Sequence, residues 1–343
     1  MKKAIKGHFG ALRFTQKTTA AVLALLLAAS VTACSGTQDS ADTDTTVTTE
    51  EVGFKGGDVF VTDGYLSEVI YPIKENMVNY AVSLMESIYN SYLADGNHRV
   101  VVSVVPDKNI ALHEAYYETD PAFSDALLLP YAEISHIVRE GTKSFALYHD
   151  IMSTLSLSAY YYTDMHWRQE YLTETAASIH DIFGLPLEFQ AAAEPFTAHP
   201  FVGSYTEDPL MADAKVDTLY YLMNETLEQV RVTDYVNGIP QEGVLYNTDI
   251  TADQKSYDLF LSGPMPLQVL ESPLAKTDRE LIIFRDSFGS SIAPYFCEQY
   301  ARVTLVDLRY LNSGVLGDFI DFDDQDILFL YSTHILNTAM IMK

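Results

Sequence analysis

The chain has 343 residues, 48% of them hydrophobic, with 47 acidic against 21 basic side chains and a formal net charge of -26. A field of that sign repels nucleic acid, anionic lipid and polyanionic glycans before any specific contact forms, which argues against all three as partners unless a local basic patch overrides it. Of the two cysteines, Cys34 lies in the N-terminal region and Cys297 in an apolar segment, so no disulfide is expected in the folded part and its core must be large enough without one.

Lys2, Lys3, Lys6, Arg13 and Lys17 precede an apolar stretch, Ala20 to Ala29, that is too short for a spanning helix and reads as an export signal. Val31-Thr32-Ala33-Cys34 resembles the site before a lipid-modified cysteine in bacterial lipoproteins. That resemblance implies diacylglycerol on Cys34, removal of residues 1–33 and an extracytoplasmic, lipid-anchored protein. An ordinary secretory cleavage would instead leave Cys34 as a free thiol. Without the leader, 16 basic face 47 acidic residues, a net charge of -31. Ser35 to Glu51 has one aliphatic residue larger than alanine and no periodicity, so residues 34–56 are predicted as a disordered tether.

From residue 57 to 343 the chain reads as one α/β domain. Asp58 to Thr62 with Asp63-Gly64 is a strand and turn. Met77, Ala81, Leu84, Met85, Ile88 and Tyr92 recur at helical spacing, which predicts an amphipathic helix from about Asn76. Arg99 to Val105 is a β-branched run closed by Pro106, the pattern of a strand covered on both faces. Leu281 to Phe284, Val303 to Val306 and Ile327 to Leu330 repeat it, with helical segments between several of them. This alternation predicts a three-layer α/β/α sandwich with a mostly parallel sheet, whose ligands bind at the carboxyl ends of the strands. Pro106-Asp107-Lys108 and Arg285-Asp286-Ser287 stand at two such ends. Residues 185–273 are less regular, with a helix expected around Val216 to Met223 and a strand around Tyr257 to Leu261.

Two motifs can supply a catalytic serine, histidine and carboxylate. In Tyr162-Thr163-Asp164-Met165-His166-Trp167, an extended backbone puts the side chains of Asp164 and His166 on one face, where the carboxylate can orient the imidazole. In Arg285-Asp286-Ser287-Phe288-Gly289 a serine follows an apolar strand, at a turn whose first helical N–H groups point at an anion formed nearby. Taken alone, Asp164 and His166 read first as a strand-end hydrogen-bonded pair without chemistry, and Asp286 competes as the partner of the histidine or caps the following helix. The other histidines show no metal-ligand spacing, and neither a metal nor an organic cofactor is expected.

These two motifs, with Phe201-Val202-Gly203-Ser204-Tyr205, Tyr257-Asp258-Leu259-Phe260-Leu261-Ser262-Gly263 and Val306-Asp307-Leu308-Arg309-Tyr310, resemble the ordered landmarks of the DHHW family. That family is similar to the alginate O-acetylation proteins AlgJ and AlgX, and the resemblance implies a permuted SGNH-hydrolase-like domain. It implies Ser287 as nucleophile, His166 as general base and acid, and Asp164 as the carboxylate behind it. Gly263 is then the candidate second oxyanion donor, beside the backbone N–H of Ser287. Arg309 and Tyr310 either line the pocket and bind substrate hydroxyls or form a surface ion pair and a core ring. The chain departs from the family at Met165, at Arg168-Gln169-Glu170 and at Ser262-Gly263-Pro264, where relatives often carry Gly-Gly-Asn. The implied function is O-acetyl transfer or ester hydrolysis on a cell-envelope polysaccharide, with a membrane O-acyltransferase as acetyl donor. The competing reading is an inactive, glycan-binding surface lipoprotein.

Overall fold

The computed structural model describes residues 57–116 and 125–343 and the dipeptide Arg13–Phe14; the predicted cleavage site, Cys34 and the tether lie outside the described residues. Strand β1 (Arg13–Phe14) runs antiparallel to β2 (Val59–Thr62), which forms a hairpin with β3 (Tyr65–Glu68). The hairpin turns at Asp63 and Gly64, both at positive φ, as a tight two-residue connection requires. Helix α1 (Glu75–Ile88) begins where the periodicity places it and buries Val78, Ala81, Val82, Met85 and Ile88. There follow β4 (Val100–Val105), α2 (Lys108–Tyr116), α3 (Asp125–Thr142), β5 (Leu147–Tyr148) and α4 (Thr173–Ile182). The less regular region holds β6 (Ala192–Pro195), β7 (Tyr220–Met223), α5 (Glu225–Glu228), β8 (Arg231–Val236), β9 (Ile239–Gly243) and β10 (Leu267–Glu271). The chain closes with β11 (Glu280–Arg285), α6 (Phe288–Phe296), β12 (Arg302–Val306), β13 (Asp326–Ser332) and α7 (Thr333–Leu336).

The main sheet has eight strands in the order β5-β4-β13-β11-β12-β10-β8-β9. The first five are mutually parallel, and β10, β8 and β9 extend the sheet antiparallel. Alternation along each strand splits the core between the two faces. Leu281 and Ile283 of β11 pack with Ile292 and Phe296 of α6 and Ile179 of α4, whereas Ile282 and Phe284 face Val78 of α1 and Ile134 of α3. Each such aliphatic or phenyl side chain contributes roughly 1.5–3 kcal/mol by leaving water. The predicted α/β/α layering is therefore present. Cys297 belongs to the α6 face and is fully buried, with burial pushing its thiol up to about 12. It is the inert small hydrophobe expected.

Two predicted elements differ. The expected helix at Val216 to Met223 is instead irregular chain over 216–219 followed by strand β7, which pairs antiparallel with β6 as Ala192↔Met223 through Pro195↔Tyr220. Its four residues are too few for a period to show, and the pairing partner decides the conformation. The expected strand around Tyr257 to Leu261 is a 3₁₀ turn, Ser256–Leu259, followed by Leu261, Ser262 and Gly263, all at positive φ. That left-handed run brings Gly263 against the Asp258 carboxylate, where an added Cβ would lie 2.7 Å from Oδ1.

Candidate active site

Ser287 sits between β11 and α6, at the carboxyl edge of the parallel strands, and is the half-exposed residue in a buried run. The neighbouring residues explain the turn. Asp286 is fully buried; its Oδ1 accepts from the Phe288 N–H at 3.0 Å and its Oδ2 from the Ser332 N–H at 2.8 Å, tying the turn to the end of β13. It is a cap and a strand clamp rather than the partner of the histidine. Arg285, also fully buried, donates to Gln268 Oε1 at 2.8 Å, and Gln268 in turn donates to Asp234 at 2.8 Å, so a polar chain links β11, β10 and β8 beneath Ser287. Gly289 lets α6 pass over that arginine, because a Cβ there would lie 2.6 Å from Arg285 Cβ.

His166 and Asp164 reach Ser287 from a loop 121 positions earlier. His166 Nε2 lies 2.7 Å from Ser287 Oγ, and His166 Nδ1 lies 2.6 Å from Asp164 Oδ1. Burial alone would raise the Asp164 carboxyl, but the imidazole beside it and the Ser204 donors hold it below the usual carboxylate range. An ionised carboxylate only accepts, so Nδ1 carries the proton and Nε2 is left to take one from the serine hydroxyl. The backbone here is a bend rather than a strand. Asp164 Oδ1 also accepts from the His166 N–H at 2.9 Å, a local turn that brings the two side chains together.

Several residues without an assigned role complete the arrangement. Ser204 donates both its N–H, at 2.6 Å, and its hydroxyl, at 2.7 Å, to Asp164 Oδ2. Asp217 accepts from the Tyr162 and Thr163 amides and the Thr163 hydroxyl, at 2.8, 2.7 and 2.6 Å, fixing the loop that carries the pair. Lys108, fully enclosed at the start of α2, donates to the carbonyls of Asp164 at 2.7 Å and Leu66 at 2.6 Å. Tyr257 stacks flat on His166 at 3.8 Å between centroids, and its hydroxyl lies 2.7 Å from Ser291 Oγ. Ser204 and Tyr257 stand inside motifs visible in the sequence. The roles of Asp217 and Lys108 had no local signal, because each acts on segments more than forty residues away.

A cleft of 230 Å³ opens over Ser287 and His166, with Met165, Tyr257, Asp258 and Gly263 in its wall. Gly263 thus lines the cleft, but its N–H is already donated to Phe260 O at 3.2 Å, so it is not the free second donor expected. Arg309 and Tyr310 are not among the lining residues. The Arg309 guanidinium is held by Asp307, at 2.6 Å from Nη2 to Oδ2, and Tyr310 is half exposed over it. Arg309 forms the ion pair of the second alternative, but with a fully buried Asp307 rather than at the surface, while Tyr310 is a surface ring rather than a core one. Among the described residues no group of three His, Cys, Asp or Glu side chains could hold a metal ion.

No protein-family model and no curated protein matches the chain. Solved structures do. A DHHW family protein from Eubacterium siraeum aligns with a TM-score of 0.64 at 19% identity, over 82% of this chain and 92% of that one. PatB1 of Bacillus cereus, in a structure with a sulfonyl adduct, aligns with a TM-score of 0.63 at 17% identity, over 81% of this chain and 95% of that one. The O-acetyltransferase domain of Pseudomonas putida AlgJ aligns more distantly, with a TM-score of 0.46 at 14% identity, over 80% and 90% of the two chains. The chain therefore has the fold of the Eubacterium siraeum DHHW family protein and of PatB1, and at the carboxyl edge of its parallel sheet it gathers Ser287, His166 and Asp164.

Proposed function

We propose that the chain is an acyl-ester enzyme that takes a short acyl group, acetyl, onto Ser287 and passes it to a polysaccharide hydroxyl or to water. The observation that carries this reading is the Asp164–His166–Ser287 relay, with contacts of 2.6 and 2.7 Å. Ser287 Oγ attacks the ester carbonyl carbon while His166 Nε2 takes its proton, and the carbonyl electrons move onto oxygen. The Ser287 N–H at the start of α6 faces that oxyanion. Collapse breaks the bond to the leaving alcohol, which leaves with the proton held by His166, and acetyl-Ser287 remains. A sugar hydroxyl or water then gives its proton to His166 and attacks the acetyl carbon; the bond from that carbon to Ser287 Oγ breaks, and His166 returns the proton to Oγ, restoring the serine.

The cleft volume, 230 Å³, lies below the roughly 300–1,000 Å³ of pockets for larger ligands, which supports a small acyl group. The net charge of -26 supports an acceptor that is not polyanionic. Following the leader and Cys34, we place the reaction outside the cytoplasmic membrane on a lipid-anchored chain, with a membrane O-acyltransferase as acetyl supplier. The engaged Gly263 amide favours a second reading, an inactive glycan-binding module of the same fold.

One experiment separates the two. The purified protein is incubated with p-nitrophenyl acetate or a sulfonyl fluoride, beside Ser287→Ala and His166→Ala, and intact mass is followed with nitrophenol release. An acetyl or sulfonyl adduct on Ser287 that both variants lack supports the enzyme. Equal inertness of three folded proteins assigns the chain to the binding module.

A further inference from the structure

We propose that the groove between β7, α5, β8 and β9 is a second carbohydrate site, taking a glycan chain of uncharged or amino-bearing sugars. It has a volume of 740 Å³ and shares no lining residue with the cleft over Ser287. That volume falls in the range of built ligand sites and exceeds the space over the nucleophile. It has its origin in the antiparallel extension of the sheet: β8 and β9 project beyond β10 as a hairpin, and the β6–β7 ribbon stands across from them.

The lining has the two chemistries a sugar ring presents. Tyr221 and Tyr246, half-buried with ring centroids 5.0 Å apart, form an aromatic wall, and Leu227 and Leu245 are buried beneath it. Such a wall matches the C–H face of a pyranose. Gln241, Glu242 and Thr248 are exposed at the rim and match its hydroxyl edge. Tyr246 is a fixed platform, because its hydroxyl is held by Gln169 at 3.1 Å. The charges narrow the class. Glu228 and Glu242 stand at the groove against Arg231, while Glu271 is paired with Arg302 at 3.1 Å, so a uronic acid chain meets net repulsion while an ammonium-bearing sugar is attracted. Strand addition by a peptide is disfavoured, because Pro240 removes a donor from the outer strand β9.

This site does not depend on the chemistry at Ser287, and its test runs in the Ser287→Ala protein. Titration calorimetry is carried out with three probes: a hexamer of N-acetylglucosamine, a hexamer of glucosamine and a hexamer of mannuronic acid. The expected result is saturable binding of one or both of the first two and none of the third. Tyr221→Ala should weaken that binding about tenfold, the upper end of what an aromatic contact contributes. Glu242→Gln should weaken the glucosamine hexamer more than the N-acetylated one. Gln241→Ala, on an exposed strand, keeps the test decisive if Tyr221→Ala fails to fold, and should weaken binding a few-fold. Binding of neither hexamer, full affinity in Tyr221→Ala and Gln241→Ala, or preference for mannuronate overturns the proposal. If Ser287 proves unreactive while hexamer binding is lost in Tyr221→Ala, the acyl-transfer reading falls and the groove stands.

Discussion

Ser204 holds the far oxygen of Asp164 with two donors, its own N–H at 2.6 Å and its hydroxyl at 2.7 Å, so the carboxylate behind His166 is fixed at both ends. Hydrogen bonds to a charged group are worth roughly 1.5–3 kcal/mol, and removing the hydroxyl leaves the backbone donor in place. Ser204→Ala should therefore lower p-nitrophenyl acetate turnover on the order of tenfold. Asp164→Asn, which disfavours the needed imidazole tautomer, should lower it by about 10⁴. Equal turnover of Ser204→Ala and the unaltered protein would remove Ser204 from the relay.

Tyr257 lies flat on the imidazole at 3.8 Å and is buried apart from the face it turns to the cleft. Tyr257→Phe keeps the stacked ring and gives up only the bond to Ser291, so turnover should stay within a few-fold. Tyr257→Ala removes the wall that confines the ring and should lower kcat well beyond the phenylalanine variant. Equal losses in the two variants would mean that the hydroxyl, not the stacking, is what matters.

Gly203 and Gly289 carry backbone approaches that no other residue permits. A Cβ on Gly203 would collide with the Thr163 carbonyl, and one on Gly289 with Arg285 Cβ at 2.6 Å. Either alanine variant forces backbone to move in a packed region, which costs roughly 1–3 kcal/mol. The expected outcome is a melting temperature several degrees lower by calorimetry, with Gly203→Ala also losing activity through the displaced Asp164.

Asp107 and Lys108 give opposite pH signatures in stability. Burial raises the Asp107 carboxyl to about 6, against bonds from Thr333 and Asn109, so between about pH 4 and 6 the folded state holds a proton that the unfolded state has lost. Stability from this group falls as pH rises through that window. Burial lowers the Lys108 ammonium to about 7, opposed by Asp164 and Asp217, so the unfolded state holds the extra proton from about pH 7 to 10, and stability rises across it. Relative to the unaltered protein, the melting temperature of Asp107→Asn should climb from pH 4 to 6. That of Lys108→Met should fall from pH 7 to 10. Parallel curves in either case would show that the group does not titrate on unfolding.

Four strands of the parallel core, β4, β11, β12 and β13, were legible because each is a mostly apolar run, whereas the two-residue β5 was not. Val100–Val105 and Asp326–Ser332 are buried at every position, and such runs have one stable environment, a sheet covered on both faces. The Ser287 turn was legible for a related reason: an apolar strand that stops at Arg285-Asp286-Ser287 and resumes as a helix leaves the serine at the edge. Short elements were not. Strand β7 extends because β6 lies beside it, and the left-handed run Leu261 to Gly263, which sets Gly263 against the Asp258 carboxylate, has no sequence period to announce it.

By itself the sequence determined the residue types of the relay, the layering of the core, and the burial of Cys297. Local pattern suffices for these, because hydrophobic period and turn chemistry act over a few residues. Only the tertiary structure decided that Asp164 and not Asp286 faces His166, that Ser204, Asp217 and Lys108 hold the loop, and that Gly263 has no free amide. Each of these depends on which hydrogen bond a buried polar group makes with a segment elsewhere in the chain or across a turn. Burial demands that such a bond be made, and the packing of the whole chain selects its partner.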